Sequence, residues 1–118
     1  VSSGLAFIVS RMLGTSAAAM SHMAIGTGTT AAAATQTALV AESARAYLTS
    51  STVVTTTVAN DSAQYVATFG PGAGTAAITE AGIFNAASAG AMLARTMFPV
   101  INKGALDTLT LTWKVAVA

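Results

Sequence analysis

The side chains that could carry out chemistry in this sequence are few. It contains one histidine, His22, and no cysteine. A metal centre at His22 would need further histidine, cysteine or carboxylate ligands close by, and none lies near it in the sequence. A serine hydrolase would have to combine His22 with Asp61 or Asp107, but no glycine-flanked elbow presents a serine. We therefore expect no catalytic residue, no metal ligand and no enzymatic activity, and we interpret His22 as an ordinary residue of an apolar strand.

The only glycine motif that invites a nucleotide-binding interpretation is Gly26-Thr27-Gly28. A phosphate-binding loop would continue with a third glycine or with lysine and a hydroxyl residue, and this one does not. The motif therefore indicates a turn after a strand, and we expect no cofactor.

Two pairs of opposite charges are placed so that they could meet. Glu80 and Arg95 lie on segments that an intervening turn would pair as antiparallel strands, and Glu42 and Arg45 are three residues apart. Cross-strand and local ion pairs orient the elements that carry them. We predict two structural ion pairs here, with no direct function.

Charged residues are scarce in the chain as a whole. They make up 8% of the 118 residues, against about 25% in typical soluble domains. Two explanations remain open: partners cover much of the surface, or the surface is neutral and rich in hydroxyl groups. The net charge is +1 and the five basic residues are scattered, so nucleic acid is not an expected partner.

The apolar character of the sequence calls for a test of membrane insertion. The mean hydropathy is +0.67, yet the longest charge-free stretch, residues 12–41, is interrupted by glycine, histidine and many threonines. A spanning helix needs about 20 consecutive, mainly apolar residues, so none is predicted. No basic region precedes the short apolar run Leu5–Val9, which disfavours a signal peptide and suggests synthesis in the cytoplasm without export.

The first third of the chain predicts one helix, one strand and a loop. Residues 3–13 place apolar side chains at helical spacing, and Ser2 or Ser3 could cap the start while Gly14 closes the end. The apolar positions of this predicted helix are Leu5, Ile8, Val9 and Met12. A strand is expected over residues 20–26, followed by a flexible arm of small residues at about 27–37.

The rest of the chain predicts strands. Residues 45–58 and 64–69 form the best hairpin, joined by a turn at Ala59–Ser62, with Tyr65, Ala67 and Phe69 on one face. After a glycine-rich loop at 70–74, further β segments are expected at 75–79, 78–85 and 91–98, with a turn at Ser88–Gly90 before the last of them. The final strand, 107–117, turns one face toward the core: Leu109, Leu111, Trp113, Val115 and Val117.

These elements predict a single domain, residues 1–118, that is mainly β: an antiparallel β-sandwich, jellyroll-like, with one short N-terminal helix. Trp113, Tyr47 and Tyr65 are expected to face the core. The methionines are expected to fill it: Met12, Met20, Met23, Met92 and Met97.

Several segments resemble small structural proteins of tailed bacteriophages. They are residues 24–45 (AIGTGTTAAAATQTALVAESAR), 78–84 (ITEAGIF), 93–98 (LARTMF) and 108–113 (TLTLTW), preceded by the helix GLAFIVSRMLG. The ordered set is similar to capsid cement (decoration) proteins of short-tailed phages. The resemblance implies a virion protein on the capsid exterior that binds the major capsid protein and stabilises the lattice by bridging capsomers.

Two alternatives to a cement protein stay open at this point. The second half of the chain also resembles tail-fibre and baseplate modules, which would make the chain a tail component. A carbohydrate-binding β-sandwich is the more remote alternative, because sugar sites need exposed aromatic side chains. Self-association as a homodimer is expected, since two-fold contacts are the commonest symmetric arrangement.

Overall fold

The structure, a computed structural model, describes residues 1–14 and 18–117. Within these residues the chain forms one helix and six strands, in the order α1 (Ser2–Met12), β1 (His22–Gly26), β2 (Glu42–Val54), β3 (Ser62–Phe69), β4 (Ala76–Phe84), β5 (Met92–Lys103) and β6 (Leu109–Ala116). The expectation of a mainly β fold with one short N-terminal helix is confirmed.

The six strands form one antiparallel sheet that nearly closes on itself. Its order is β5-β4-β1-β2-β3-β6, so β5 and β6 are the two edges. The first half of β2 pairs with β1 and the second half with β3, with a register shift between Leu48 and Ser50. The long strand β2 therefore connects the two halves of the sheet.

The hairpin of β2 and β3 is confirmed, but β2 ends earlier than predicted. The backbone N–H groups of Thr56, Thr57 and Val58 donate to the Asp61 carboxylate at 2.9–3.0 Å. Residues 55–58 therefore belong to the turn, in which Asn60 adopts a φ of 62°. Asx hydrogen bonding was predicted for a turn of four residues, 59–62. In the structure these hydrogen bonds extend the turn back to residue 55.

Strand β5 continues through Pro99, where the sequence predicted a strand end. The ladder between β4 and β5 shifts register between Ile78 and Glu80, which pair with Ile101 and Met97. Pro99 lies in the resulting bulge on an edge strand, a position where its missing N–H costs no ladder hydrogen bond.

The main core lies inside the curved sheet. Met23, Ile25, Ile83 and Phe69 are almost completely buried there. The predicted faces of β3 and β6 are confirmed, since Tyr65, Ala67 and Phe69 on β3 pack into this core together with Leu109, Leu111, Trp113 and Val115 on β6. Val117 was wrongly assigned to this face, because it lies beyond the end of β6 and is exposed.

Helix α1 begins and ends within one residue of its predicted bounds, but it is not capped by a serine. Val1 is the N-cap residue, with no side-chain cap hydrogen bond. The Ser3 hydroxyl instead donates to the carbonyl of Met92 on β5 at 2.8 Å. The C-terminal prediction is confirmed, since Gly14 has a φ of 67° and its N–H donates to the carbonyl of Arg11.

Of the four apolar positions predicted for α1, only Ile8 packs against the core. Gly4 is buried against the backbone of Leu93, and Phe7 and Ile8 are partly buried against the core. The predicted positions Leu5, Val9 and Met12 are exposed. Close backbone contact at Gly4 sets the rotation of the helix, and the apolar periodicity alone could not reveal it.

Candidate interaction surface

Glu80 on β4 and Arg95 on β5 form an ion pair without solvent access. The Arg95 Nε donates to Glu80 Oε1 at 2.8 Å, and neither side chain has exposed surface. Arg95 stands opposite Gly82 in the ladder, so the two charges are diagonal neighbours on the outer face of the sheet. The predicted cross-strand pair is confirmed.

The Glu80 carboxylate also accepts three backbone N–H groups from the segment that crosses this face. We call residues 27–41 the outer loop. Gly28 donates to Oε2 at 2.7 Å, Ala41 to Oε2 at 2.8 Å and Val40 to Oε1 at 3.0 Å. Both ends of the outer loop are therefore fixed to one carboxylate.

These contacts determine the charge state of Glu80. Burial alone raises the pKa of Glu80, but the hydrogen bonds from Ala41, Arg95, Val40 and Gly28 outweigh burial and bring it below its ordinary value. The carboxylate is ionised at neutral pH and all its neighbours are donors. Glu80 therefore acts as a buried anion that accepts hydrogen bonds from backbone N–H groups of the protein itself. As a carboxylate it has no proton to donate to a substrate.

The guanidinium of Arg95 fixes the middle of the outer loop. Its Nη1 donates to Gln36 Oε1 at 3.1 Å and its Nη2 to the Thr30 carbonyl at 2.9 Å. The predicted arm, residues 27–37, is the first part of this loop and most of its side chains are exposed. Its backbone is attached to the sheet at these points, and its flexibility stays a prediction.

A second arginine cluster lies beside the outer loop. Arg45 pairs with Glu42 at 2.7 Å, which confirms the predicted local ion pair. Its guanidinium carbon lies 3.8 Å from the ring centroid of Phe84, and its Nη1 donates to the carbonyls of Ala86 and Ala89. Arg45 therefore connects β2 to the turn between β4 and β5.

His22 is buried on the same outer face. Its ring lies 4.2 Å from that of Tyr47, centroid to centroid, and its Nδ1 lies 2.7 Å from the Ser21 hydroxyl oxygen. Among the described residues, no group of three or more His, Cys, Asp or Glu side chains is arranged to hold a metal ion.

Tyr47 was wrongly predicted to face the core, since its residue is 74% exposed. Its neighbours Ala46 and Leu48 pack against the core, and the alternation of β2 therefore turns Tyr47 outward over His22.

Helix α1 and the residue after it expose four large apolar side chains. Leu5, Val9, Met12 and Leu13 are 53–80% exposed and follow one side of the helix. We call these four residues the α1 stripe. Met12, predicted as core filler, belongs to it. No helix within residues 1–14 and 18–117 is long and apolar enough to cross a membrane.

The surface is poorer in charge than the composition indicates. Of the nine charged residues, Glu80, Arg95 and Lys103 are buried. The Lys103 Nζ donates to the carbonyls of Gly70 and Asp107, both at 2.8 Å, and so attaches the end of β5 to two loops. A third of the charges therefore serve internal contacts.

A cleft of about 250 Å³ separates the edge strands β5 and β6. Half-buried Phe98, Leu111 and Trp113 form its apolar floor. The exposed residues on its rim are Thr96, Thr112 and Lys114.

No model of a known protein family matches the chain, and no curated protein matches it either.

The sequence indicated the two ion pairs but not the surfaces around them. The glycine at position 28 reflects the path of the outer loop, because an added Cβ there would collide with the Glu80 carboxylate and Val40. In the sequence this glycine indicated only a turn. The α1 stripe and the cleft depend on how the helix is rotated and how far the sheet closes, and no local pattern encodes either.

Proposed function

We propose that the chain is a structural protein of a virus particle: a capsid cement (decoration) protein that binds the outer capsid lattice and bridges neighbouring capsomers. Its partners are the major capsid protein and a second copy of itself, as a homodimer. It is made in the host cytoplasm, is placed on the capsid exterior, and acts without catalysis, nucleic acid or membrane.

The observation that carries this proposal is the α1 stripe on a surface with so few charges. Exposed apolar patches on soluble proteins mark interaction sites, and charged residues are depleted at the centre of stable interfaces. The ordered resemblance of the segments given above to phage cement proteins supplies the kind of partner.

The residues proposed for lattice contact adjoin one another. We propose that residues 1–3 and 27–37 contact the capsid, and the Ser2 N–H donates to the Ala34 carbonyl at 2.9 Å. The start of α1 therefore touches the outer loop. The α1 stripe continues from this point, so the proposed contacts can engage a partner together.

We propose the finer architecture on the same basis: a sandwich, jellyroll-like, whose layers are the two halves of the sheet. Strand β2 belongs to both halves, and Met23 and Ile83 from one half share a core with Phe69 from the other. Such a shape leaves the outer loop and α1 free to face the lattice.

The mechanism is mass action. DNA packed inside the head pushes capsomers apart, and a protein that binds only the assembled lattice stabilises it according to its concentration and affinity. No chemical step is needed.

Co-sedimentation with shells assembled from the major capsid protein tests this proposal. Val9→Glu places a charge in the α1 stripe and is expected to weaken binding by about tenfold or more, as for a residue at the centre of an interface. Val53→Glu is the matched control, because Val53 is similarly exposed but lies on β2. Equal binding by the two variants would contradict the proposed contact face.

A further inference from the structure

The outer loop has a closed neck and internal hydrogen bonds of its own. At the neck, the Thr27 N–H donates to the Ala41 carbonyl at 2.9 Å. Farther along, the Gln36 side chain accepts the N–H of Ala33 and donates to the carbonyl of Ala31. These bonds join the loop to itself, so the loop can leave the sheet without losing them. They favour movement of the loop as one body.

The hydrogen bonds that attach the outer loop to the sheet converge on three side chains of the β4–β5 hairpin. Glu80 and Arg95 make the contacts described above, and the Thr79 hydroxyl donates to the Gly28 carbonyl at 2.7 Å. Each such bond contributes little net stability, because water replaces it when the loop opens. Segments with few buried apolar contacts open at a lower free energy than the rest of a protein.

A single apolar side chain anchors the outer loop, and it also connects the loop to α1. The outer face carries a second, smaller core made of Ala24, Leu39, Phe84 and Met92. Within residues 27–41, all of which the structure describes, Leu39 is the only large apolar side chain that is buried. Val1, the N-cap residue of α1, packs against the same core. The loop and the start of α1 therefore share this core as well as the hydrogen bond from Ser2 to Ala34.

We infer that the outer loop and the first turn of α1 open together as one unit, while the six-stranded sheet stays folded. Opening withdraws Leu39 and Val1 from the second core and breaks the bonds to Glu80 and Arg95. The α1 stripe begins at Leu5, one turn into the helix, so its position depends on whether the loop is closed. A molecule that contacts both the loop and α1 shifts this equilibrium by its difference in affinity for the two states. This inference does not depend on a role in a virus particle.

Native-state hydrogen exchange of the full chain, followed by NMR at several low urea concentrations, tests the inference. The reporters are the amides of Gly28 and Ala41 in the outer loop and of Leu5 in α1, which donates to the Val1 carbonyl. These three should show similar protection after correction for intrinsic exchange rates, with little dependence on urea, because local opening exposes little surface. Ladder amides of β3 should be more protected and depend steeply on urea.

One pair of variants tests whether the movements are coupled. Leu39→Ala removes the apolar anchor and should speed exchange at Gly28, Ala41 and Leu5 together, by about tenfold or more. Unchanged protection of the β3 ladder would show that the sheet is retained. Val40→Ala is the matched control, because Val40 is the next residue but is 48% exposed. It should change the same rates by no more than about twofold.

A milder variant covers the case in which Leu39→Ala also loosens the sheet. Thr79→Val keeps the shape of a β-branched side chain and removes only the hydroxyl that holds the Gly28 carbonyl. We expect exchange to rise by about three- to tenfold at the loop amides and at Leu5, as for the loss of one hydrogen bond.

Two results would overturn the inference. The first is exchange of the loop amides with the same protection and urea dependence as the β3 ladder, since the loop would then open only when the whole protein unfolds. The second is faster exchange in the outer loop of the Leu39→Ala or Thr79→Val variant with an unchanged rate at Leu5. The loop would then open without α1.

Discussion

At the residue scale, Glu80 shows how a charge can be buried in a chain that has few. Its carboxylate exchanges water for four donors: Arg95 and three N–H groups of the outer loop. Desolvation of an ion pair is costly, and such pairs persist where further hydrogen bonds satisfy the remaining polar atoms. In this protein those bonds also determine the path of 15 residues that have few large side chains of their own.

Replacing Glu80 by glutamine should therefore destabilise the fold strongly. Glu80→Gln keeps the shape of the side chain but leaves Arg95 as an uncompensated buried charge and turns an NH₂ group toward other donors. We expect a loss of about 3–5 kcal/mol in the free energy of unfolding, measured in urea. Glu42→Gln is the matched control, because its pair with Arg45 is partly exposed and should contribute about 1 kcal/mol or less. Similar losses in both variants would contradict this account.

Acid should weaken the fold through two carboxylates. The N–H groups of Val58, Thr56 and Thr57 hold the pKa of Asp61 far below its ordinary value, and the pKa of Glu80 is also lowered. The unfolded chain therefore binds more protons in acid than the folded protein does. The stabilisation is complete above the unfolded pKa values, about 4, and is lost as the pH falls below them.

Unfolding in urea between pH 7 and pH 2 measures this effect. The midpoint should fall in the acid range, and Asp61→Asn should flatten that dependence. An unchanged acid slope in this variant would show that the turn carboxylate does not contribute.

At the scale of elements, the placement of α1 depends on one glycine. An added Cβ at Gly4 would overlap the carbonyl of Leu93, so the helix could not stay at its present distance from β5. The rotation that brings Gly4, Phe7 and Ile8 to the sheet is the same rotation that exposes the α1 stripe. Helix docking and the proposed interaction surface are therefore coupled.

Gly4→Ala separates this packing effect from helix propensity. Alanine favours an isolated helix by about 1 kcal/mol over glycine, yet overpacking typically costs about 1–3 kcal/mol. We expect a net loss of stability and a lower Tm by differential scanning calorimetry. A raised Tm would mean that propensity dominates and that α1 is not tightly docked at Gly4.

The sequence predicted elements better than it predicted their surroundings. The helix, the β2–β3 hairpin and the alternating faces of β3 and β6 follow from local periodicity and turn chemistry. The predictions that Met12 and Tyr47 would be buried were wrong, because helix rotation and strand register depend on distant backbone contacts. The pair of Glu80 and Arg95 was predictable from hairpin spacing, whereas the N–H groups that complete it come from residues 39 to 52 positions before Glu80.

At the scale of the whole molecule, the surface is the unusual feature. Three of nine charges are internal, and large apolar side chains are exposed on α1 and at Val100 and Leu106. A protein that worked alone in solution would gain from a more charged exterior. This distribution favours a protein that functions while bound to other proteins. The central claim of the proposed function is that these are the proteins of a capsid lattice.

The most direct test of that claim is the number of copies in each purified virus particle, measured by quantitative mass spectrometry against the major capsid protein. A ratio near one copy per major capsid protein subunit is the predicted result, since a lattice-bound cement protein repeats with the lattice. A handful of copies, in a multiple of three or six, would contradict the cement role and indicate a tail component. Absence from the particle would contradict a virion role altogether.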